Sequence, residues 1–275
     1  MWRWPSHLLT VLAAHGFVMI KKILKKYREE GMDGIESAVL GRIVKARGVH
    51  PIQGALRTLR KKDFVCIVQI GAFVGATDND PICSFLKDTV ALKTKLKAVL
   101  VEPVKEYYDK LKLNYHDLPG VHFENVAIAQ ESGPHKFYRL GVDPVAHGFP
   151  SWLAQLGSLK EERMTTMWDN CERSEDCKAF YLEHRVVETI DCITSHQLFD
   201  RHGIKEIDLL QIDAEGYDYE ILRTVDFKKV RPRFINYERM LLLNKEPECR
   251  AMMRAAGYRL IDFEQDTFCV RKGRL

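Results

Sequence analysis

The rhythm of apolar and polar positions changes along the chain. From Trp4 to Ile20 no residue is charged, but Pro5, Ser6, His7, His15 and Gly16 dilute the run. A membrane-spanning helix needs about 20 clean apolar residues, so a simple span is not expected here. Lys21, Lys22, Lys25 and Lys26 interleave with Ile23, Leu24 and Tyr27 at helical spacing. That pattern reads as a helix packed on the domain with a solvated lysine face, in preference to one lying on a membrane surface. Pro51 is expected to stop any helix running through Ala46, and residues 1–55 read as a helical N-terminal extension.

From residue 64 short β-rich runs alternate with helical segments. Phe64–Ile70 is almost continuously apolar, as expected for a strand covered on both faces. Ala98–Val101, Val121–Ala127, Ile207–Ile212 and Arg233–Glu238 read as further strands, and His135–Leu140 and Arg185–Ile190 as strands flanking a long insertion. Helices are expected at about 81–95, 104–115, 194–202, 217–225 and 246–256. Tyr258–Phe263 and Thr267–Arg271 are separated by three residues, too few for a parallel crossover and right for a hairpin. The pattern predicts an α/β domain with a mostly parallel sheet and a C-terminal antiparallel hairpin, over 56–275. In such sheets ligands bind beyond the carboxyl ends of the strands, near the point where strand order reverses.

Composition narrows the class without choosing a partner. At 275 residues with 46% hydrophobic and 29% charged side chains, the chain can bury a sizeable core and does not read as disordered or polytopic. A formal charge of +4 is too small to imply nucleic acid. Seven irregularly spaced cysteines read as reduced thiols, which favours a cytoplasmic location.

The chemistry gathers at strand ends. Gln69-Ile70-Gly71-Ala72-Phe73-Val74-Gly75 carries two glycines that let backbone turn sharply and approach a ligand. Its G-x-x-x-G spacing is not the dinucleotide fingerprint, and an ordinary strand-to-helix turn accounts for it equally well. In Val101-Glu102-Pro103 a carboxylate at a strand tip can accept both hydroxyl protons of a ribose. Asn125 in Glu124-Asn125-Val126-Ala127 offers a donor and an acceptor to a purine edge, or is a satisfied loop residue. Asp213 and Glu215, with Glu238 at the next strand tip, point to hydroxyl orientation, general-base work or cation binding; helix capping by Asp213 is the structural alternative.

These motifs, in this order, resemble the FkbM-type methyltransferases. The likeness rests on Val68-Gln69-Ile70-Gly71-Ala72, Asn79-Asp80-Pro81-Ile82, Val101-Glu102-Pro103, Phe123–Ile128, Ile207–Asp218 and Ile235-Asn236-Tyr237-Glu238, and runs from about 63 to 271. Its most specific part is Asp213-Ala214-Glu215-Gly216-Tyr217-Asp218-Tyr219-Glu220. The resemblance implies a class I, Rossmann-like methyltransferase fold with a seven-stranded sheet. It implies S-adenosyl-L-methionine as cofactor and O-methylation of a small-molecule or glycan acceptor. By that likeness Gln69, Gly71, Ala72 and Gly75 serve the methionine end, Glu102 the ribose, Asn125 and Ala127 the adenine, and Asp213 the methionine moiety or the acceptor. Glu215, Glu238 and Asp213 are the candidate catalytic groups, with His184 and His147 behind them, and no metal is expected. The family commonly places Asn after Gly-Ala, followed by Asp or a small residue and Gly, where this chain has Phe73-Val74. That departure keeps open a non-catalytic binding protein on the same fold; a nucleotide-binding oxidoreductase is the other alternative.

The insertion at 141–184 is expected to form a lid over the acceptor, with Trp152 able to stack on a flat face; the alternative is that Trp152 and Trp168 cover the domain's own core. Cys171 and Cys177 have neither zinc spacing nor a second pair.

Overall fold

The computed structural model describes residues 50–77, 80–91, 95–162 and 174–273. The expected extension up to residue 49, and Asn79, Trp168 and Cys171, lie outside the described residues.

The first described element, α1 (Pro51–Leu59), places Ile52, Ala55, Leu56 and Leu59 on one buried face, the spacing of an amphipathic helix. Pro51 opens this helix, because proline's missing N–H is not needed in the first turn, and His50 Nδ1 caps it by accepting from Ile52 N at 3.2 Å. The expected division between residues 55 and 56 thus falls inside a helix that packs on the main core.

Strand β1 (Phe64–Ile70) shows why a nearly unbroken apolar run marks a central strand. Cys66, Val68 and Ile70 join one core cluster, while Val65 and Ile67 join another with the α1 face, so alternate side chains fill the two sides of one sheet. The sheet continues through α2 (Pro81–Ala91), β2 (Lys95–Val101), α3 (Lys105–Tyr115) and β3 (Val121–Glu124). Beyond a second small sheet come α5 (Ser195–Arg201), β8 (Leu209–Ile212), α6 (Asp218–Arg223), β9 (Phe234–Glu238), α7 (Glu246–Ala255), β10 (Tyr258–Phe263) and β11 (Asp266–Arg271). The seven strands run in the order β10-β11-β9-β8-β1-β2-β3. All neighbours from β3 to β9 are parallel, and β11 is antiparallel to both β9 and β10. This is the α/β methyltransferase-like arrangement, with the expected hairpin at the end. Strand order reverses at β1, which lies between β2 and β8.

Two differences from the sequence pattern have physical causes. Strand β2 starts three residues earlier than its apolar stretch, because Lys95–Lys97 pair with β1 in register while lying only partly covered. The run Val121–Ala127 divides at Asn125: β3 ends at Glu124, and β4 (Ala127–Ile128) enters a second sheet with β5 (Gly133–Leu140), β6 (Gly157–Ser158) and β7 (Arg185–Ile193), in the order β4-β7-β5-β6. Helix α4 (Ser174–His184) precedes β7. No helix among the described residues is long and apolar enough to cross a membrane. Cys66, Cys83, Cys192, Cys249 and Cys269 are free thiols, and Cys177 is buried with Leu153, Phe180 and Tyr181 in the insertion's own core.

The opposite rim of the sheet is fastened by Asp208, nearly buried, which accepts from Cys66 N at 3.0 Å and pairs with Lys62 at 2.5 Å. Removing it leaves a buried amide without its charged partner. Asp208→Ala is expected to lower stability by about 2 kcal/mol, read as a reduced urea midpoint with unchanged slope. A midpoint equal to the parent's would show that this contact does not fasten β1 to β8.

Candidate active site

The loop after β1 turns back on itself. Gly71, Phe73, Gly75 and Ala76 all have positive φ, of 80°, 49°, 58° and 52°. Gly71 N and Ala72 N both donate to Val101 O at 3.0 Å, and Asp213 N donates to Ile70 O at 2.9 Å. The ends of β2, β1 and β8 are thereby drawn together. A Cβ on Gly71 would lie 1.7 Å from the Asp213 carbonyl oxygen, so glycine is required by backbone approach as well as by φ. Gly75 serves packing instead: a Cβ there would meet the Tyr115 ring at 2.2 Å.

At the tip of β2 Glu102 is 5% exposed. Its Oε2 accepts from Phe73 N at 2.9 Å and its Oε1 from Val104 N at 2.8 Å. Burial pushes its pKa up to about 7, opposed by those two amide bonds and by the charge of Arg139. Each carboxylate oxygen keeps a further lone pair. Asn125 turns its amide away from any ligand, donating to Glu102 O and Pro103 O, both at 2.9 Å.

Gly71, Glu102, Ala127, Asp213 and Glu215 line a narrow inner cleft, whose roof is built from Ala154–Leu159 of the insertion. The second sheet adds Phe137 and Arg139, the latter held by Glu188 through Nε at 2.6 Å. Tyr107 and Tyr217 also face the cleft. Nothing in the alternating pattern of Gly133–Leu140 marked Arg139 beforehand, whereas Tyr217 stood inside the most specific motif.

A larger, polar chamber opens beside the cleft, about 890 Å³ against about 80 Å³. Gly71, Phe73, Gln155 and Asp213 line both spaces and so mark their junction. Gln69 and Ala72 face the chamber alone. Gly75, Asn125 and Glu238 line neither. His147 and His184 stand off the site as well, their ring centroids 5.4 Å apart beside Phe180.

The acids at the β8 and β9 ends do not share one environment. Asp218 is fully buried with Oδ1 accepting from Glu238 N at 3.1 Å, and burial with the Asp213 charge pushes it up to about 7. Burial first, then neighbouring carboxylates, drives Glu215 well above the usual carboxylate range and pushes Glu238 up to about 11. The Asp213 side chain is exposed to the cavity space at the junction of cleft and chamber. Burial, Asp266 and Asp80 push it up only to about 6, which leaves it the ionised member of the group. Among the described residues no group of three or more His, Cys, Asp or Glu is placed to hold a metal ion.

The site's residues fit a nucleoside cofactor on one structural count: the Glu102 carboxylate has lone pairs left for a diol. Comparison with known proteins agrees with the class. The family model described as Methyltransferase FkbM domain matches residues 69–260. No curated protein matches the chain. Among solved structures it is similar to the fibrillarin/Nop5p complex, at 10% identity and TM-score 0.37 over 78% of this chain and 77% of that one. It is also similar to an O-methyltransferase from Bacillus cereus, at 12% identity and TM-score 0.35 over 84% and 88%. A TehB-like SAM-dependent methyltransferase from Corynebacterium glutamicum gives 10% identity and TM-score 0.33 over 84% and 94%.

Because Gly71 touches the Asp213 carbonyl, Gly71→Ala is expected to force the β1 and β8 ends apart. Left-handed strain and overpacking together should lower stability by about 2–4 kcal/mol. Denaturant titration measures this, and calorimetry with S-adenosylhomocysteine should show binding lost. A variant with parental midpoint and affinity would contradict the close approach.

Proposed function

The chain belongs to the FkbM methyltransferase family, and from that premise we propose that it methylates a hydroxyl oxygen of a small-molecule or glycan acceptor seated in the polar chamber. The observation that carries this reading is Asp213, the one carboxylate lining both the cleft and the chamber. When bound, S-adenosylmethionine supplies a methyl group already activated by its sulfonium charge. The protein's tasks are therefore to orient the acceptor, exclude water and take up a proton.

Glu102 would hold the ribose hydroxyls through its free lone pairs, and the Gly71-Ala72 backbone would admit the methionine end. Ala127 and Phe137, both buried, would cover the base. Asp213, ionised near neutrality, would accept the proton of the attacking hydroxyl. Glu215 would serve as a hydrogen-bonding group or steric wall at the cleft, and Glu238, which lines neither space, would act only from behind it. The narrowness of the cleft supports a lid role for 141–184: Ala154–Leu159 must lift for a nucleoside to enter. Lys160 ties that roof to α6, through an ion pair with Glu220 and by lying over the Tyr217 ring at 5.4 Å.

The non-catalytic alternative is not favoured by the loop geometry. Phe73 holds Glu102 with its backbone N–H, so replacing the family's usual Asn by Phe removes no contact to that carboxylate. Family membership sets the oxidoreductase reading aside.

Two measurements test the assignment. Hydroxyl donors favour ionised Glu102, so its pKa should fall below about 7 on binding. Affinity for S-adenosylhomocysteine should then be full above pH 7 and decline as pH falls through it. Glu102→Gln should flatten this profile and weaken binding by about 1–3 kcal/mol; a parental profile in that variant removes the ribose assignment. Asp213→Asn should keep affinity for S-adenosylhomocysteine, which lacks the sulfonium charge, while lowering kcat about 100-fold or more. The parent's kcat should drop as pH falls through about 6. Product analysis showing the label on nitrogen or carbon would overturn hydroxyl methylation.

A further inference from the structure

The chamber's inner wall comes from strand ends inside the family-matched segment, but its outer wall does not. Helix α1 contributes Gln53, Arg57 and Arg60, and the hairpin turn contributes Phe263, Glu264 and Asp266, all outside residues 69–260. The parts that would touch the far end of an acceptor are thus additions to the shared core.

Charge is distributed unevenly in the chamber. Asp80 and Asp213 lie beside the cleft, Asp266 reaches them from the hairpin, and Glu264 adds a further acid at the hairpin turn. On the α1 wall Arg60 is already engaged, held by Asp88 at 2.5 Å and lying 6.0 Å from the Phe85 centroid. His50 is occupied in capping α1 and packs on Phe263 at 4.6 Å. Arg57 faces the same space with no counter-ion among the described residues. A place in the last turn of a helix favours a cation of any orientation. It does not explain a guanidinium lining a chamber whose other cation is neutralised.

We propose that Arg57 is a specificity-determining residue that binds an anionic substituent, a carboxylate or phosphate, on the hydroxyl-bearing acceptor. This rests on the reading of the chamber as the acceptor site. The charge pattern makes the preference directional. An anion at Arg57 gains charge-assisted hydrogen bonds from a planar donor pair, whereas the same group turned inward meets Asp80, Asp213 and Asp266. Only the orientation with the hydroxyl toward Asp213 satisfies both ends, so Arg57 selects which hydroxyl is presented as well as which molecule is bound. Five glutamines, Gln53, Gln69, Gln155, Gln211 and Gln265, line the space between and suit a polyhydroxylated body.

The full-length protein, saturated with S-adenosylhomocysteine, is titrated calorimetrically with D-glucose, D-glucuronate and D-glucose 6-phosphate. The same three compounds are then offered with methyl-labelled S-adenosylmethionine. The expected result is that at least one anion binds about tenfold more tightly than glucose, as a charge-assisted contact gives; the two anions separate a carboxylate from a phosphate preference. Arg57→Gln should erase the difference and Arg57→Lys restore part of it, with affinity for S-adenosylhomocysteine unchanged. Equal binding of all three, binding of neither anion, or a preference that survives Arg57→Gln overturns the proposal. Failure of S-adenosylhomocysteine to bind the parent would instead overturn the cofactor reading, and is seen before any sugar is added.

Discussion

One buried carboxylate organises the cleft. The Glu102 carboxylate accepts hydrogen bonds from one amide in the loop after β1 and another at the start of α3, and its backbone carbonyl accepts one from Asn125 Nδ2 just after β3. Three successive strand ends are thus fixed through a single residue. Two amide bonds do not cancel the desolvation of a buried charge, which is why the pKa remains near 7. The unmet part of that demand is what a vicinal diol would supply. Structural and ligand-binding roles would coincide at this position, because the same oxygens would serve both.

The other side of the cleft stores the opposite kind of tension. Glu215 adopts φ 48° and Gly216 φ 84°, a sharp turn that sets Asp213 at the junction of cleft and chamber. A bulky residue in the left-handed region costs about 1–2 kcal/mol. The Asp213 charge raises the pKa of Glu215, Asp218 and Glu238, so ionisation of Asp213 disfavours that of its neighbours. A sulfonium placed beside Asp213 would relieve part of this repulsion. The ground state of the protein is thereby complementary to a cation before one arrives.

Much of this was legible in the chain because the relevant signals are local. The two-faced burial of β1 follows from an unbroken apolar run, the hairpin from a three-residue gap, and the Gly71–Glu102 association from motifs that end adjacent parallel strands. What escaped depends on direction or on distance in sequence. Asn125 has the right chemistry for a purine edge, but both its amide protons go to backbone oxygens. Gly75 answers to Tyr115, forty residues on. Glu238 sits at the expected strand tip but behind the acids that line the cleft. The second sheet was hidden because β7 leaves Val186 and Val187 exposed and its burial does not alternate cleanly. The polar chamber could not be read at all: α1 and the terminal hairpin meet only through the tertiary fold.

That last point bears on how such a site can change. The reacting end is locked by backbone contacts, with Gly71 against the Asp213 carbonyl and paired amides on Val101 O. Substitutions there disturb sheet and cleft together. The outer wall hangs on side-chain packing of α1 and on a hairpin turn, where Gln53 and Arg57 are exposed and make no contact the core depends on. Exposed positions of this kind tolerate replacement with small effects on stability. On the proposed assignments, chemistry and selectivity would reside in parts of the molecule with different mechanical constraints, and acceptor preference would shift along α1 without altering the strand ends assigned to the cofactor.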